Sequence, residues 1–441
     1  MSRPPPGSAR SETSSTRGAA SHIARLQKQK PRMSTFDLVA AAEALLADAK
    51  KLAAGASEDE DALRRKIGMA AKRIAVETPP PMDVIKGEWV AMADIAVWSL
   101  FLEWKAFDLI PLNGSISISD LAKGLNAEES LVSRLANFLV CVGKLLPGPE
   151  PNHVRHSRLS KLLISTAPTS PLCTVAIGNG FKSYARWPEY FEKYGRREPP
   201  DVRHTPFAFA WGHPELAPWE VKALYPEYAT RFALSMKSRQ IVGGDMSLVG
   251  PSALYDLGWI GHAAKKWPQG EPLVVDVGGG MGQLLKDVVT EIPSVQAEQC
   301  VLQDRKEVLE EAVASRDPVI ERVSIMEHDF HTEQPVKGAL VYFLRRILLD
   351  YPDAAAIGIL RRLADALPAD NPNARIVIME EKLSEPPVPP NRIVDLMMVS
   401  LGGKLRNEKM MGELVSAAGL KMVKYYAKPG DPTCVVECAK A

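Results

Sequence analysis

The stretch VVDVGGGMGQ, residues 274–283, places Gly278, Gly279, Gly280 and Gly282 in one turn after an apolar run. Glycines there let the backbone approach a ligand closely. The pattern is neither the GxGxxG of dinucleotide binders nor the GKS/GKT loop of triphosphate binders. Asp304 ends the next apolar run, 28 positions after Asp276, where a carboxylate accepts hydrogen bonds from two ribose hydroxyls. Asp329 and Phe330 end a third run, placed to hold and cover an adenine. A fourth stretch, RRILLDYPD at 345–353, follows the apolar ALVYFL. It offers Arg345, Arg346 and Asp350, with Leu349 beside the acid.

These stretches act together only if their strands end along one edge. Residues 261–441 alternate apolar strands with helical segments: PLVVDVGGG, GQLLKDVVTEIP, EQCVLQD, RKEVLEEAVASR, VSIMEHDF, ALVYFLRR, DAAAIGILRRLADAL and ARIVIMEE. The helix KMMGELVSAAGL and strands KMVKYYA and TCVVECA close the series. Such alternation predicts a parallel sheet covered on both faces, which binds ligands beyond the carboxyl ends of its strands.

The N-terminal half reads differently. Residues 1–33 are rich in Ser, Pro and Arg, with Glu12 the sole acid, and read as a disordered tail. Helical spacing runs through 35–54 and through DALRRKIGMAAKRIAVE, and ETPPPMD at 77–83 is a break. Residues 88–112 are apolar on most faces, which predicts burial against a large body such as a partner subunit. Residues 115–146 have a helix-turn-helix cadence, with Ser119 capping ISDLAKGL and Asn126 capping AEESLVSRLANFLVCVG. That second helix carries only Arg134 as a basic group, so a structural or dimerising wing is favoured over a DNA reader. Residues 167–260 are helical and rich in aromatic side chains.

The composition of the 441 residues, 46% hydrophobic and 24% charged, is that of a globular chain. A net charge of +1 favours neither nucleic acid nor an anionic membrane, and no apolar run approaches the roughly 18 residues of a membrane span. Five scattered cysteines, Cys141, Cys173, Cys300, Cys434 and Cys438, argue for a reduced, cytoplasmic chain. Cys434 and Cys438 have no His nearby, so no metal is expected.

Taken with VLQDR, HDF, YFLRRILLDYPD, RIVIMEE and GGKLRNEKMMGELVSAAGL, the glycine turn resembles the class I S-adenosylmethionine-dependent O-methyltransferases of the plant caffeate and fungal secondary-metabolite type, over about residues 80–440. The resemblance implies an α/β fold: a Rossmann-like methyltransferase sheet of seven strands, preceded by an all-helical/winged-helix dimerisation domain. The implied divisions are a helical and winged-helix domain at 34–165, a helical linker and substrate-pocket segment at 166–260, and the cofactor-binding domain at 261–441. It also implies a homodimer, a small-molecule substrate, and S-adenosylmethionine held by Gly278, Gly280, Asp304, Asp329, Phe330 and Arg345.

Two departures stand out. The family places its general base, a histidine, immediately before the acid of RRILLD; here that position is Leu349, and leucine accepts no proton at any pH. Of the two glutamates flanking that base, one matches Glu380 and the other falls at Leu405. Loss of a base beside an intact cofactor turn resembles the leporin-type and pyridone-type pericyclases of the same family. Those enzymes bind S-adenosylmethionine without methyl transfer and guide dehydration and pericyclic closure (Diels-Alder, hetero-Diels-Alder or Alder-ene) of polyketide-derived 2-pyridones. On that reading Asp350, His156, Arg346 and Lys404 are the candidate catalytic groups, with Met397, Met398, Met410 and Met411 lining an apolar pocket. Asp350 has a second reading, as cap of the helix that follows, and Lys337 reads as structural. The alternatives are an O-methyltransferase acting on a phenolic or enolic metabolite, with Asp350 as base or with an acceptor that needs none, and a non-catalytic relative.

Overall fold

The computed structural model describes residues 37–55, 59–243, 249–250, 253–268 and 270–441. The tail expected at 1–33 lies outside these described residues. The chain divides into two compact units, 1–93 and 94–441, and the divisions expected at 165 and 260 fall inside the second.

In the first unit, the helices Leu38–Ala53 and Glu60–Glu77 each start on an aspartate. Asp37 and Asp59 accept hydrogen bonds from the backbone N–H of Ala40 at 3.0 Å and Ala62 at 2.7 Å, satisfying donors that a helix start leaves orphaned. Lys66 pairs with Asp48 at 2.8 Å. The expected break at 77–83 is shorter than read, because the helix Pro81–Glu103 begins within it; proline fits a first turn, where its missing N–H costs nothing. Leu46, Met69, Trp89 and Met92 remain exposed in this unit.

The second unit opens with the helices Ile118–Leu125 and Glu129–Cys141 and a small antiparallel sheet of β1 (Ile116–Ser117), β2 (Leu145–Pro147) and β3 (His153–His156), in the order β1-β3-β2. The expected caps shift here. Ser117, not Ser119, caps the first helix: its backbone is extended and its Oγ accepts from Asp120 N–H at 3.0 Å. Asn126 ends that helix, in the left-handed region at φ 50°. It does not start the next helix, which begins at Glu129 without a side-chain cap.

The main sheet contains β4 (Val274–Val277), β5 (Cys300–Asp304), β6 (Ser324–Glu327), β7 (Val341–Arg345), β8 (Arg375–Glu381), β9 (Leu420–Ala427) and β10 (Thr433–Lys440). Its order is β6-β5-β4-β7-β8-β10-β9. Strands β4 to β8 are parallel, and β10 runs antiparallel to both β8 and β9. Alternate residues of a strand face opposite sides. Val274, Leu302 and Phe343 enter one apolar layer, while Val275, Val301 and Tyr342 enter the other. Both faces are covered, as the unbroken apolar strands predict, and the carboxyl ends of β4, β5 and β7 meet along one edge. Among the described residues, no helix is long and apolar enough to cross a membrane.

Candidate active site

Along that edge the glycine turn leaves β4. Gly278 N–H donates to the Gln303 carbonyl at 2.8 Å, tying the turn to β5. Gly280 takes φ +60°, and the place where its side chain would stand is open space, so backbone and a ligand are able to come together there. Its N–H donates to Asp304 Oδ2 at 2.8 Å, and Arg305 N–H donates to Asp304 Oδ1 at 2.8 Å. Burial pushes the Asp304 carboxyl above its ordinary range, against the pull of those donors. Each oxygen retains a further lone pair for a hydroxyl. Asp276 is buried, and burial lifts its pKa to about 7, opposed by the charge of Arg345 and helped by that of Asp304.

The third strand is shorter than its sequence indicates. It ends at Glu327, so Asp329 and Phe330 stand in the loop beyond it. Phe330 still borders the glycine turn: a Cβ on Gly278 would lie 3.5 Å from its ring. Its ring packs 5.8 Å from Tyr351 and 5.0 Å from His331, and Trp219 stacks on His331 at 6.0 Å. An open glycine cradle, an acid able to take two hydroxyls and an aromatic margin fit a nucleoside-bearing cofactor.

The charged stretch after β7 forms the adjoining wall. Glu380 on β8 is buried, and its Oε1 accepts from Ile347 N–H at 3.0 Å and Leu348 N–H at 2.8 Å. Among the described residues its other oxygen has no hydrogen-bond partner, and burial lifts the carboxyl to about 8. Arg406 donates to the carbonyls of Leu348 and Tyr351, both at 2.9 Å, and pairs with Asp353 at 2.7 Å. Lys404 N–H donates to the Leu349 carbonyl at 3.0 Å. Gly403 permits this approach, since any Cβ there would collide with that carbonyl oxygen.

Leu349 and Leu405 are 5% and 1% exposed and pack in one apolar cluster with Phe207, Val221, Met398 and Leu401. The positions where a base and its glutamate were sought therefore form a hydrophobic wall. Met397 leans on this cluster, while Met411 belongs to the sheet core and Met410 is half-buried.

The proposed polar residues divide. Asp350 is exposed beside this wall, and its charge acts on Glu380, Tyr351 and Lys222. It does not cap the helix Asp353–Ala366, whose N-cap is Pro352. Arg346 sits at φ 55°, its N–H donating to the Met379 carbonyl at 2.8 Å. The Lys404 ammonium pairs with Glu198 at 2.5 Å and Asp353 at 3.3 Å, and these carboxylates raise its pKa against burial. It is a strut of the loop. His156 is buried on β3, with Nδ1 bonded to Ser160 Oγ at 2.9 Å and Nε2 to the Ile110 carbonyl at 3.1 Å. Both ring nitrogens are thus engaged by protein groups. Lys337, read as structural, pairs with Glu333 at 3.0 Å.

Sequence reasoning missed Lys222. It lies on the short helix Pro218–Ala223, which starts on a proline and is braced by Glu220 accepting from Ala217 N–H at 2.7 Å. Three neighbours on this helix reach three places. Trp219 meets Tyr351 and His331, Val221 enters the Leu349 cluster, and Lys222 lies over the rings of Phe232 and Phe207, within the field of Asp350. The only signal was a lysine in the aromatic-rich segment, and nothing in spacing ties it to residue 350. A cavity of about 550 Å³ adjoins the same cluster, lined by Trp211, Tyr225, Tyr228, Lys182 and the Arg231–Glu103 ion pair.

A sequence profile of the O-methyltransferase domain matches residues 200–421, half of the chain and the whole of the cofactor shelf. The chain belongs to the O-methyltransferase family. S-adenosylmethionine is that family's cofactor, and the shelf fits it. Similar proteins include the methyltransferase cfoD of Aspergillus candidus, 38% identical over 87% of this chain and 94% of its own length. The methyltransferase pynC of Aspergillus niger is 37% identical over 80% of this chain and 96% of its own. Among solved structures, OxaC superimposes with a TM-score of 0.79 at 20% identity, covering 92% of this chain and 99% of its own. LepI in complex with SAM gives 0.72 at 22% identity, covering 90% and 98%. These two likenesses share the fold.

Proposed function

We propose that this protein is an S-adenosylmethionine-dependent methyltransferase of secondary metabolism whose acceptor is a phenolic or enolic small molecule acidic enough to react without a histidine base. One observation carries the reading: an intact cofactor shelf opens beside a wall where Leu349 and Leu405 stand in place of the base and its partner. Relatives of 35–38% identity over most of the chain are named methyltransferases, which supports methyl transfer.

Gly278, Gly280, Asp304, Asp329, Phe330 and Arg345 would hold the cofactor: Asp304 on the ribose hydroxyls, Phe330 over the base, and the glycine backbone along the chain between. When bound, S-adenosylmethionine supplies a sulfonium-activated methyl group. The Leu349 cluster excludes water from the acceptor, and Asp350 with Arg346 orients its polar edge. A buried, mostly dry wall strengthens every charge interaction at its rim. A homodimer in the cytoplasm, with a second copy covering the exposed Ile85, Trp89 and Met92 of the helix Pro81–Glu103, completes the reading.

A second reading draws on the same wall. A pericyclase needs a folded apolar substrate more than a base, and one structural neighbour is titled a pericyclic reaction enzyme. Incubation with S-adenosylmethionine and a panel of hydroxypyridones and phenols decides between them. Methyl transfer releases S-adenosylhomocysteine and adds one methylene unit to the acceptor. Loss of water or isomerisation with the cofactor intact would replace the first reading by the second.

A further inference from the structure

Lys222 is a polar group beside the Leu349 cluster that has no role so far. Its ammonium lies 3.7 Å from the Phe232 ring centroid and 5.8 Å from that of Phe207, a member of the Leu349 cluster. Among the described residues it forms no hydrogen bond or ion pair. Two charges act on it, those of Asp350 beside the acceptor wall and of Arg305, next to Asp304 on the cofactor shelf. The half-buried residue points its charged end at the aromatic faces of Phe232 and Phe207. Aromatic faces steady this ammonium, but among the described residues no carboxylate within hydrogen-bond reach holds its proton, so the group is open to a ligand.

We propose that Lys222 replaces the missing histidine, taking the proton from the acceptor hydroxyl and holding the resulting oxyanion. This rests on the methyl-transfer reading and deepens it. The O–H bond of the enol or phenol breaks, the proton joins the neutral Nζ, and the electron pair stays on oxygen. The new ammonium lies beside that anion and returns its proton to water after turnover. Burial eases the loss of the ammonium proton, lowering the lysine from 10.5 to about 8, with Asp350 opposing and Arg305 assisting. A lysine so tuned works as a base near neutral pH. The substrate class follows, namely a phenol, whose hydroxyl still carries its proton when this lysine is neutral, whose oxyanion suits one cation and whose carbon frame meets Phe207 and Leu349.

The test compares wild type, Lys222→Met and Lys222→Arg with 2-naphthol as acceptor. Wild-type kcat/KM is expected to rise with pH through about 8. K222M is expected to lose roughly 10²–10⁴-fold and that pH limb, with S-adenosylmethionine binding by calorimetry unchanged. K222R keeps the charge but gives up no proton at usable pH, so it is expected to fail like K222M. An R variant as active as wild type would overturn the base, as would a K222M variant of wild-type rate and pH profile. Release of no S-adenosylhomocysteine by wild type would instead overturn the methyl-transfer reading itself. A readout free of turnover is competitive acetylation mapped by mass spectrometry. Lys222 is expected to label near neutral pH, ahead of surface lysines, and to be protected by the naphthol. Labelling at the rate of surface lysines, with no protection, would overturn the proposal.

Discussion

The cofactor shelf and the acceptor wall meet at one sheet edge, yet they are built in opposite ways. The shelf is backbone and carboxylate: Gly278 and Gly280 hydrogen-bonded to β5, and Asp304 bonded to two N–H groups. Its polar groups are set in place before any ligand arrives. The wall is leucine, methionine and phenylalanine around Leu349 and Leu405, with charge only at its rim. The polar groups around the wall serve architecture. Glu380 holds the Ile347–Leu348 backbone, and Lys404 and Arg406 brace it through Asp353. The difference teaches that cofactor binding and acceptor activation are separable in this fold, because different elements carry them.

The comparison breaks most visibly at Asp304. Asp304→Ala removes the acceptor of two hydroxyl bonds, each worth about 1.5–3 kcal/mol when charged. Affinity for S-adenosylmethionine is expected to fall by at least about 100-fold by calorimetry. An unchanged affinity would mean that the shelf is not the cofactor site.

Leu349→His sharpens the contrast from the other side. If the wall is a different design, the imidazole enters an apolar cluster without a partner and costs about 1–3 kcal/mol of stability. Its melting temperature is expected to drop without a gain in kcat. A gain of about 100-fold, the usual worth of a general base, would mean that the wall is only a damaged histidine site.

A third test concerns Glu380. Its carboxyl is raised from 4.5 to about 8 in the folded chain. The native state therefore keeps a proton that the unfolded state releases between those values. The stability this group contributes is complete below about 4.5, declines as pH rises, and is lost past about 8. Glu380→Gln has no such proton, so its melting temperature relative to wild type is expected to rise with pH across that window. Parallel curves would show that the carboxyl is ionised in the fold.

The same contrast explains what was legible in the sequence. The shelf comes from contiguous motifs whose spacing follows from strand-turn-helix geometry, so the glycine turn and Asp304 were readable directly. The seven-stranded sheet was readable too, since period and apolar runs report it. The substitutions at Leu349 and Leu405 were visible, but not their packing with Phe207 and Val221, which are over a hundred residues away. Lys222 was invisible because no motif or spacing ties a lysine of the aromatic-rich segment to the stretch around Asp350. Local caps also escaped: Ser117 and Ser119 are equally good in composition, and only the extended backbone at Ser117 decides.

The central claim is that the cofactor on this shelf gives up its methyl group across a wall without histidine. Methyl-labelled S-adenosylmethionine, incubated with the full-length protein and 4-hydroxy-2-pyridone and followed by mass spectrometry, tests it most directly. The account predicts that the label appears in the pyridone, matched one for one by S-adenosylhomocysteine. Label remaining wholly on intact S-adenosylmethionine, with the cofactor bound and the pyridone unmethylated, would contradict it.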